Sequence, residues 1–509
     1  MTGGSAMQIK VEAGDIRAFK ADAIVVNLFE GVTSPGGGTG AVDDALGGTI
    51  SALIAAGDIR GKLGEFTLIH TLGRLPSPRV IVAGLGKQAE FSVDKVRSLS
   101  ADLGRYLRRQ RLKNTAIIAH GAGLAGLPAE ECAAAIAEGT LLGLYRFLRH
   151  KKPPEDEVEP ESLTIVEFDA AKLAALERGV ERGRILAEYT NACRDMANEP
   201  SNYLTPAEMA ARAEAIAAET GLECEVHGPD WLREKRMGGV LGVAQGSVQE
   251  PRFIVLRYKG AGDAKPIALV GKGVTFDTGG ISIKPAAGME EMKGDMSGGA
   301  AVIAAMGAIA RLRPRVNVIG IVPATENMPS GSAIKPGDVL KTMAGKTIEV
   351  VNTDAEGRLI LSDALAYARE QGAQAIVDVA TLTGAISTAL GNVAMGAMTN
   401  DAGLLERVKE AAAAAGERVW ELPMWDEYKE FIRSDVADMK NSGGRLAGSI
   451  TAAMLLREFV EDTPWVHLDI AGVDNYDRDK GVIVKGASGI PVRTLVHLAL
   501  RFAETGATK

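Results

Sequence analysis

Short apolar or β-branched runs alternate with longer helix-forming stretches along most of this chain. Residues 23–28, 80–83 and 115–119 are rich in Val, Ile and Ala and bounded by turn formers, which predicts buried strands. Residues 95–109 and 129–148 read as helices between and after them. Such alternation predicts an α/β fold, a largely parallel sheet with helices packed on it. The 509 residues leave room for two or three domains. Residues 151–162 (KKPPEDEVEPES) are Pro-rich, charged and almost free of large apolar groups, and read as an exposed loop. A strand at 163–168 follows. A helical stretch at 172–198 then bridges to a second domain, with the boundary near residue 185, so the expected domains are 1–185 and 186–509.

The second domain opens on a helix signal. Thr205 can cap, Pro206 suits the first helical position, and Glu208 can close a capping box. Strands are predicted at 252–258, 267–271, 316–322, 348–351, 375–379 and 465–471. Helices are predicted at 297–312, 362–371 and 450–460, with 411–415 helical as well. In parallel α/β sheets ligands bind beyond the carboxyl ends of the strands.

The net charge of −8 and pI near 5.5 argue against a nucleic-acid partner, which usually demands a basic stripe. A basic cluster at Arg105, Arg108, Arg109, Arg111 and Lys113 reads as a solvated helix face. Three cysteines fit neither a disulfide framework nor a zinc motif and suit a reducing cytosol. No signal-peptide pattern opens the chain and no apolar run of membrane-spanning length is expected. A cytoplasmic protein without a membrane partner is the expectation.

Two polar segments stand directly after predicted strands. One is Lys272-Gly-Val-Thr-Phe-Asp277-Thr-Gly-Gly, continued by Lys284 and Asp295; the other is Asn352-Thr-Asp354-Ala-Glu356-Gly-Arg358. Four carboxylates gathered in one cleft repel one another, and their pKa values rise. Multivalent cations remove that penalty, and oxygen-rich sites suit Mg, Mn or Zn. Asp354 and Glu356, two apart, would point the same way on an extended stretch. Gly273 and Gly357 would let backbone pass close to the ions. None of the six histidines falls in either segment, so no imidazole is at hand as general base. Lys284 and Arg358 could stabilise charge developing on a carbonyl oxygen. Lys272, desolvated, could lose its proton and become a ligand. An ordinary ion-pair network with tight turns accounts for the same residues equally well.

The octapeptide Asn352-Thr-Asp-Ala-Glu-Gly-Arg-Leu359 resembles the signature of the leucyl aminopeptidase (cytosol aminopeptidase) family, and the Lys272, Asp277, Lys284, Asp295 ladder resembles that family's second motif. The resemblance implies a macro-like N-terminal α/β domain that serves assembly and a catalytic α/β domain. It implies one metal held by Asp277, Asp354 and Glu356 and another by Lys272, Asp277, Asp295 and Glu356. Lys284 would polarise the scissile carbonyl, and Arg358 would hold a bicarbonate ion acting as general base. Met292, Thr381, Leu382 and Gly384 resemble substrate-pocket residues. The implied activity is removal of N-terminal Leu, Met or similar residues from peptides with a free N-terminus, by a water activated between two divalent ions (zinc or manganese, with magnesium a third option), in a homohexamer. The Gly-rich loop at 441–449 resembles one near the family's active site, or is a plain connector. His467 and Asp469 read as structural. A Gly-rich loop at 34–40 could cradle phosphate through backbone N–H groups, but no such ligand is expected. A dipeptidase of the same family and a nucleotide- or DNA-binding protein with a vestigial site remain as alternatives.

Overall fold

The computed structural model describes residues 7–506 except 123–125, 153, 155 and 156, so the 151–162 loop lies partly outside the described residues. The chain divides into two compact units, Met1–Glu188 with Asp477–Val484, and Tyr189–Tyr476 with Lys485–Lys509.

The first unit is built on a six-stranded sheet. Its order is Gln8–Ala13, Ser162–Glu167, Asn114–Ile118, Ala23–Phe29, Arg79–Gly86, Phe66–His70. Every pairing is parallel except the last. Ala23–Phe29 is buried throughout, and its side chains alternate between two cores. Ala23 and Val25 pack on one face, Ile24 and Val26 on the other. The strands Gln8–Ala13 and Phe66–His70 were not anticipated. Both are edge strands with half-solvated faces and lack the continuous apolar run that marks a central strand.

The helices Val93–Arg109 and Ala129–Gly143 touch at backbone distance, because Cβ atoms on Gly139 and Gly143 would fall 2.1 and 2.4 Å from carbonyl oxygens of Arg97 and Ala101. The second helix stops five residues short of the expected 148. Arg105 donates to the carbonyl of Gly143 (3.2 Å) and Arg108 to that of Leu144 (2.5 Å), which satisfies its terminal carbonyls. The basic cluster is thus only partly solvated: two of its arginines, Arg105 and Arg108, are half-buried along the neighbouring helix end.

The second unit carries a nine-stranded sheet. Eight strands lie in the order Val419–Glu421, Met395–Thr399, Trp465–Asp469, Ala375–Ala380, Ile267–Gly271, Asn317–Asn327, Arg252–Lys259, Glu223–His227, and Gly273–Asp277 also pairs with Asn317–Asn327. The central pairings are parallel, and antiparallel ones lie toward both edges. Ser297–Leu312 is the core helix, buried along nearly its whole length. With the preceding 3₁₀ turn it forms a 24-residue stretch, Met289–Leu312, that does reach the length and apolarity of a membrane span; 89% of its apolar window is buried inside the unit. Thr205 caps Pro206–Thr220 through Glu208 N–H at 3.3 Å, but Glu208 turns outward to Arg212 (3.0 Å), so the capping box is only half formed. The predicted strand at 348–351 is shorter, Thr347–Glu349. It belongs not to the central sheet but to a small one with Val339–Lys341 and Met439–Lys440.

Candidate active site

The central strands set the first polar segment. Ile267–Gly271 lies between Ala375–Ala380 and Asn317–Asn327, and Lys272 N–H still donates to Val379 O (3.0 Å). A register shift follows, and Gly273–Asp277 runs on beside Ala324–Asn327, so Asp277 closes the strand opposite Asn327. Asp277 Oδ1 accepts from Asn327 Nδ2 (2.7 Å) and Gly279 N–H (2.8 Å). The second segment is a turn rather than an extended stretch. Glu356 has helical φ/ψ (−75°, −34°) and is the N-cap of the helix Gly357–Glu370. That helix starts five residues before the predicted 362 and takes Arg358 into its first turn. The turn, not β alternation, brings Asp354 and Glu356 together. Carboxylate oxygens of Asp277, Asp354 and Glu356 lie within 4.8 Å of one another.

Two lysines thread this cluster. Lys272 Nζ lies 2.7 Å from Asp295 Oδ1, 2.8 Å from Glu356 Oε1 and donates to Thr381 O at 3.0 Å. Lys284 Nζ lies 2.8 Å from Asp277 Oδ2 and 2.5 Å from Asp354 Oδ1. Four carboxylates face two ammonium groups, leaving two negative charges in excess. Burial, then the repulsion of neighbouring acids, pushes the carboxyls of Asp295 and Glu356 above their usual range; burial pushes Asp354 up as well. Burial alone would neutralise Lys272, but Asp295, Glu356 and Asp277 outweigh it and hold the ammonium charged. A neutral Lys272 amine is therefore conditional on cations taking over the positive charge it now supplies.

Arg358 is buried and donates through Nη1 to Asn441 O (2.7 Å). Burial lowers its pKa to about 10 against the pull of Glu356 and Asp469. The predicted glycine roles change. A Cβ on Gly357 would fall 2.8 Å from Lys272 Cε and 3.0 Å from Leu382 Cδ1, and one on Gly273 would meet Pro323 O at 2.8 Å. Both glycines make room for protein neighbours.

Of the expected pocket residues, Thr381 donates to Asp295 Oδ1 (2.7 Å), and Leu382 is partly buried beside Gly357. Met292 is half-buried on the 3₁₀ turn Met289–Gly294, and Gly384 is exposed at the start of Gly384–Leu390. Asp469 underpins this loop. It accepts from Leu382 N–H (3.1 Å) and Thr383 Oγ1 (2.6 Å), and Thr383 also meets Ser449 Oγ (2.7 Å). His467 is buried against Asp378 (2.6 Å), remote from the acid cluster in its bonding.

Asn327 was not singled out in the sequence, and Asn441 entered only as the first residue of the Gly-rich loop 441–449, which the structure places against Arg358. Asn327 joins Asp277 to Thr353 O (3.0 Å); its only trace in the sequence is a polar Thr-Glu-Asn run ending an apolar strand. Asn441 ties the two flanks of the acidic turn. Its Oδ1 accepts from Val351 and Asn352 N–H (2.9 and 3.3 Å), and its Nδ2 donates to the carbonyls of Asn352 and Ala355 (2.6 and 3.3 Å).

The catalytic-domain model of the cytosol aminopeptidase family matches residues 191–496, and the N-terminal-domain model of that family matches residues 25–154. The chain belongs to the cytosol aminopeptidase family. A probable cytosol aminopeptidase of Solibacter usitatus is 48% identical over 97% of this chain and 99% of its own. A solved tomato leucine aminopeptidase bearing a point substitution superposes with a TM-score of 0.86 at 34% identity, covering 98% of each chain. The bottromycin maturation enzyme BotP, solved in complex with Mn, superposes with a TM-score of 0.84 at 33% identity over 95% of this chain and all of its own.

As a cytosol aminopeptidase, this protein is a metal-dependent hydrolase of the leucyl aminopeptidase type. Its cluster fits divalent cations on its own evidence. The carboxylates of Asp277, Asp354 and Glu356 offer hard oxygens, negative charge is in excess, and the buried Asp295 Oδ2 and Glu356 Oε2 have no hydrogen-bond partner among the described residues.

Proposed function

We propose that this enzyme removes N-terminal residues, Leu and Met foremost, from peptides with a free α-amine. The convergence of Asp277, Asp354 and Glu356 beside the unpartnered oxygens of Asp295 and Glu356 carries the reading. Asp277, Asp354 and Glu356 would hold one divalent ion, and Lys272, Asp277, Asp295 and Glu356 the other, as zinc or manganese, with magnesium a third option. Such a pair, when bound, supplies Lewis acidity and a water of lowered pKa. Lys284 sits at the rim, half-exposed beside Asp277 and Asp354, where its ammonium can meet the developing charge on the scissile carbonyl oxygen. Arg358 keeps a buried Nε–H without a partner among the described residues, a donor that suits a small oxyanion such as bicarbonate. Arg358 would hold such an ion, whose basicity would supply the proton acceptor that neither polar segment offers as a histidine. Met292, Thr381, Leu382 and Gly384 form the side-chain pocket, with Met292 adaptable enough for Leu or Met. Residues 186–509 act as the peptidase domain and 1–185 serve assembly of a cytoplasmic homohexamer.

The test is hydrolysis of leucine p-nitroanilide beside its N-acetylated form, before and after chelation and with Mn or Zn restored. Cleavage of the free-amine substrate alone, lost on chelation and regained with metal, is expected. Equal cleavage of the acetylated form, or indifference to chelation, would refute the reading.

A further inference from the structure

In the sequence Asp469 reads as structural, and no part of the proposed chemistry uses it. Its surroundings give it a narrower task. The strands Ala375–Ala380 and Trp465–Asp469 pair as far as Ala380 opposite Asp469, and Ile470 N–H donates to Ala380 O (2.9 Å). Beyond that bond the chain leaves the sheet as the loop 381–383. There the fully buried carboxylate of Asp469 takes over from the strand. Its Oδ1 accepts from Leu382 and Ala471 N–H (3.1 and 3.2 Å) and its Oδ2 from Thr383 Oγ1 (2.6 Å). With its proton committed to Asp469, the Thr383 hydroxyl accepts from Ser449 Oγ (2.7 Å) and Ile386 N–H (3.2 Å). The residue ahead of this anchor serves Lys272 and Asp295. Thr381 O accepts from Lys272 Nζ (3.0 Å), and Thr381 Oγ1 donates to Asp295 Oδ1 (2.7 Å), the oxygen that Lys272 Nζ also meets at 2.7 Å. Both bonds fall on one oxygen, and Asp295 Oδ2 stays buried without a hydrogen-bond partner among the described residues. A carboxylate turns readily about its last torsion, so a hydroxyl that pins one oxygen decides where the other points.

We propose that Asp469 is a positioning residue for one ion of the pair: by anchoring the loop 381–383 it orients Lys272 and Asp295 through Thr381, and so sets the affinity of the ion those two residues would hold while leaving the other ion's affinity unmoved; this rests on the two-ion reading above. Lys272 and Asp295 are the two groups that separate the second set of ligands from the first. The first set is ordered from other elements. Asp277 is fixed by Asn327 Nδ2 (2.7 Å) and Gly279 N–H (2.8 Å), and Asp354 N–H donates to Asn352 Oδ1 (3.0 Å) within the turn that Asn441 bonds. The two ions therefore answer to two scaffolds, and a change at the Asp469 anchor reaches only one of them. Groups that orient a ligand without touching the ion typically govern affinity in this way.

The experiment is calorimetric titration of Mn²⁺ into the chelator-stripped full-length enzyme, with a thermal melt of each variant to show that it folds. Wild type is expected to take up two ions per chain. Asp469→Asn keeps the size of the side chain but turns an NH₂ group against either Thr383 Oγ1 or the Leu382 and Ala471 N–H groups. One ion should then bind with wild-type affinity and the other about 10–100-fold more weakly. Thr383→Val should do the same and Thr383→Ser should restore the lost affinity; this pair decides the matter if Asp469→Asn does not fold. Lys272→Met removes a ligand of the second ion and keeps the stem, and adding Asp469→Asn to it should move the remaining ion by no more than about twofold. Equal weakening of both ions by Asp469→Asn or Thr383→Val, weakening of neither, or a fall of about tenfold on the Lys272→Met background overturns the positioning role and leaves the two-ion reading standing. Wild type binding fewer than two ions overturns that reading itself.

Discussion

Gly357→Ala puts the packing of the site under test, because stability and activity should respond in different proportions. The φ at this position is not positive, so alanine meets no backbone strain, and helix propensity alone favours it by up to about 1 kcal/mol. Against this, the new methyl lies 2.8 Å from Lys272 Cε, 3.0 Å from its Cδ and 3.0 Å from Leu382 Cδ1. An ordinary carbon–carbon contact is about 3.7 Å, so the lysine stem has to give by about 1 Å. Lys272 Nζ cannot follow freely, being held at 2.7, 2.8 and 3.0 Å by Asp295, Glu356 and Thr381. Overpacking of this kind costs about 1–3 kcal/mol. Net destabilisation should therefore stay near 0–2 kcal/mol, while a 1 Å misplacement of site groups lowers kcat on the order of 10²-fold. The assay is kcat on leucine p-nitroanilide with Mn at saturation, paired with a thermal melt. Gly331→Ala, where a methyl would meet nothing within 4 Å, serves as the control. Gly357→Ala with kcat within threefold of wild type, and a melt showing it folded, would refute the reasoning.

Asn327→Asp replaces a donor to Asp277 Oδ1 and Thr353 O with a further carboxylate; metal affinity by titration should weaken about 10–100-fold, and an unchanged affinity would deny Asn327 its orienting role. Lys284→Ala should lower kcat at least about tenfold with little change in KM, whereas a change in KM alone would place Lys284 outside transition-state charge stabilisation. His120 is fully buried, and burial lowers its pKa to about 4 from 6.5. As pH falls below 6.5 the unfolded chain takes the proton first, so stability is lost between pH 6.5 and 4, by about 3 kcal/mol at the lower end. Denaturant titrations of His120→Gln should show a shallower acid limb over that window, and parallel limbs would count against the assignment.

The parallel centre of both sheets was legible because strands buried on both faces, such as Ala23–Phe29 and Ile267–Gly271, read as continuous apolar runs. Edge strands such as Phe66–His70 and the three-residue strands of the small sheet carry no such run and were missed or misplaced. Among the site groups, the charged residues announced themselves as acids and lysines following apolar strands. The early start of Gly357–Glu370 did not: glycine is a poor helix former, and its presence there answers to the Lys272 stem, a contact nearly ninety residues distant in sequence. Asn327 was equally silent, and Asn441 showed only as the start of a Gly-rich loop, not as the side chain that orders the turn. A neutral amide that orders a carboxylate or a turn through space looks, in one dimension, like any loop or strand-end polar residue.

Asn441 has a consequence beyond holding one turn. Its carboxamide stands in for a peptide group, offering residues 351–355 the donor and acceptor that a neighbouring strand would have offered. The acidic turn is thereby spared the usual cost of irregular backbone, which is to fray into solvent. Its amides are sequestered as in a ladder although it belongs to no sheet, and the two acids it carries are presented on a scaffold that side chains, Asn441 at both flanks and Ser282, Asn327 and Asn352 between, hold in one shape.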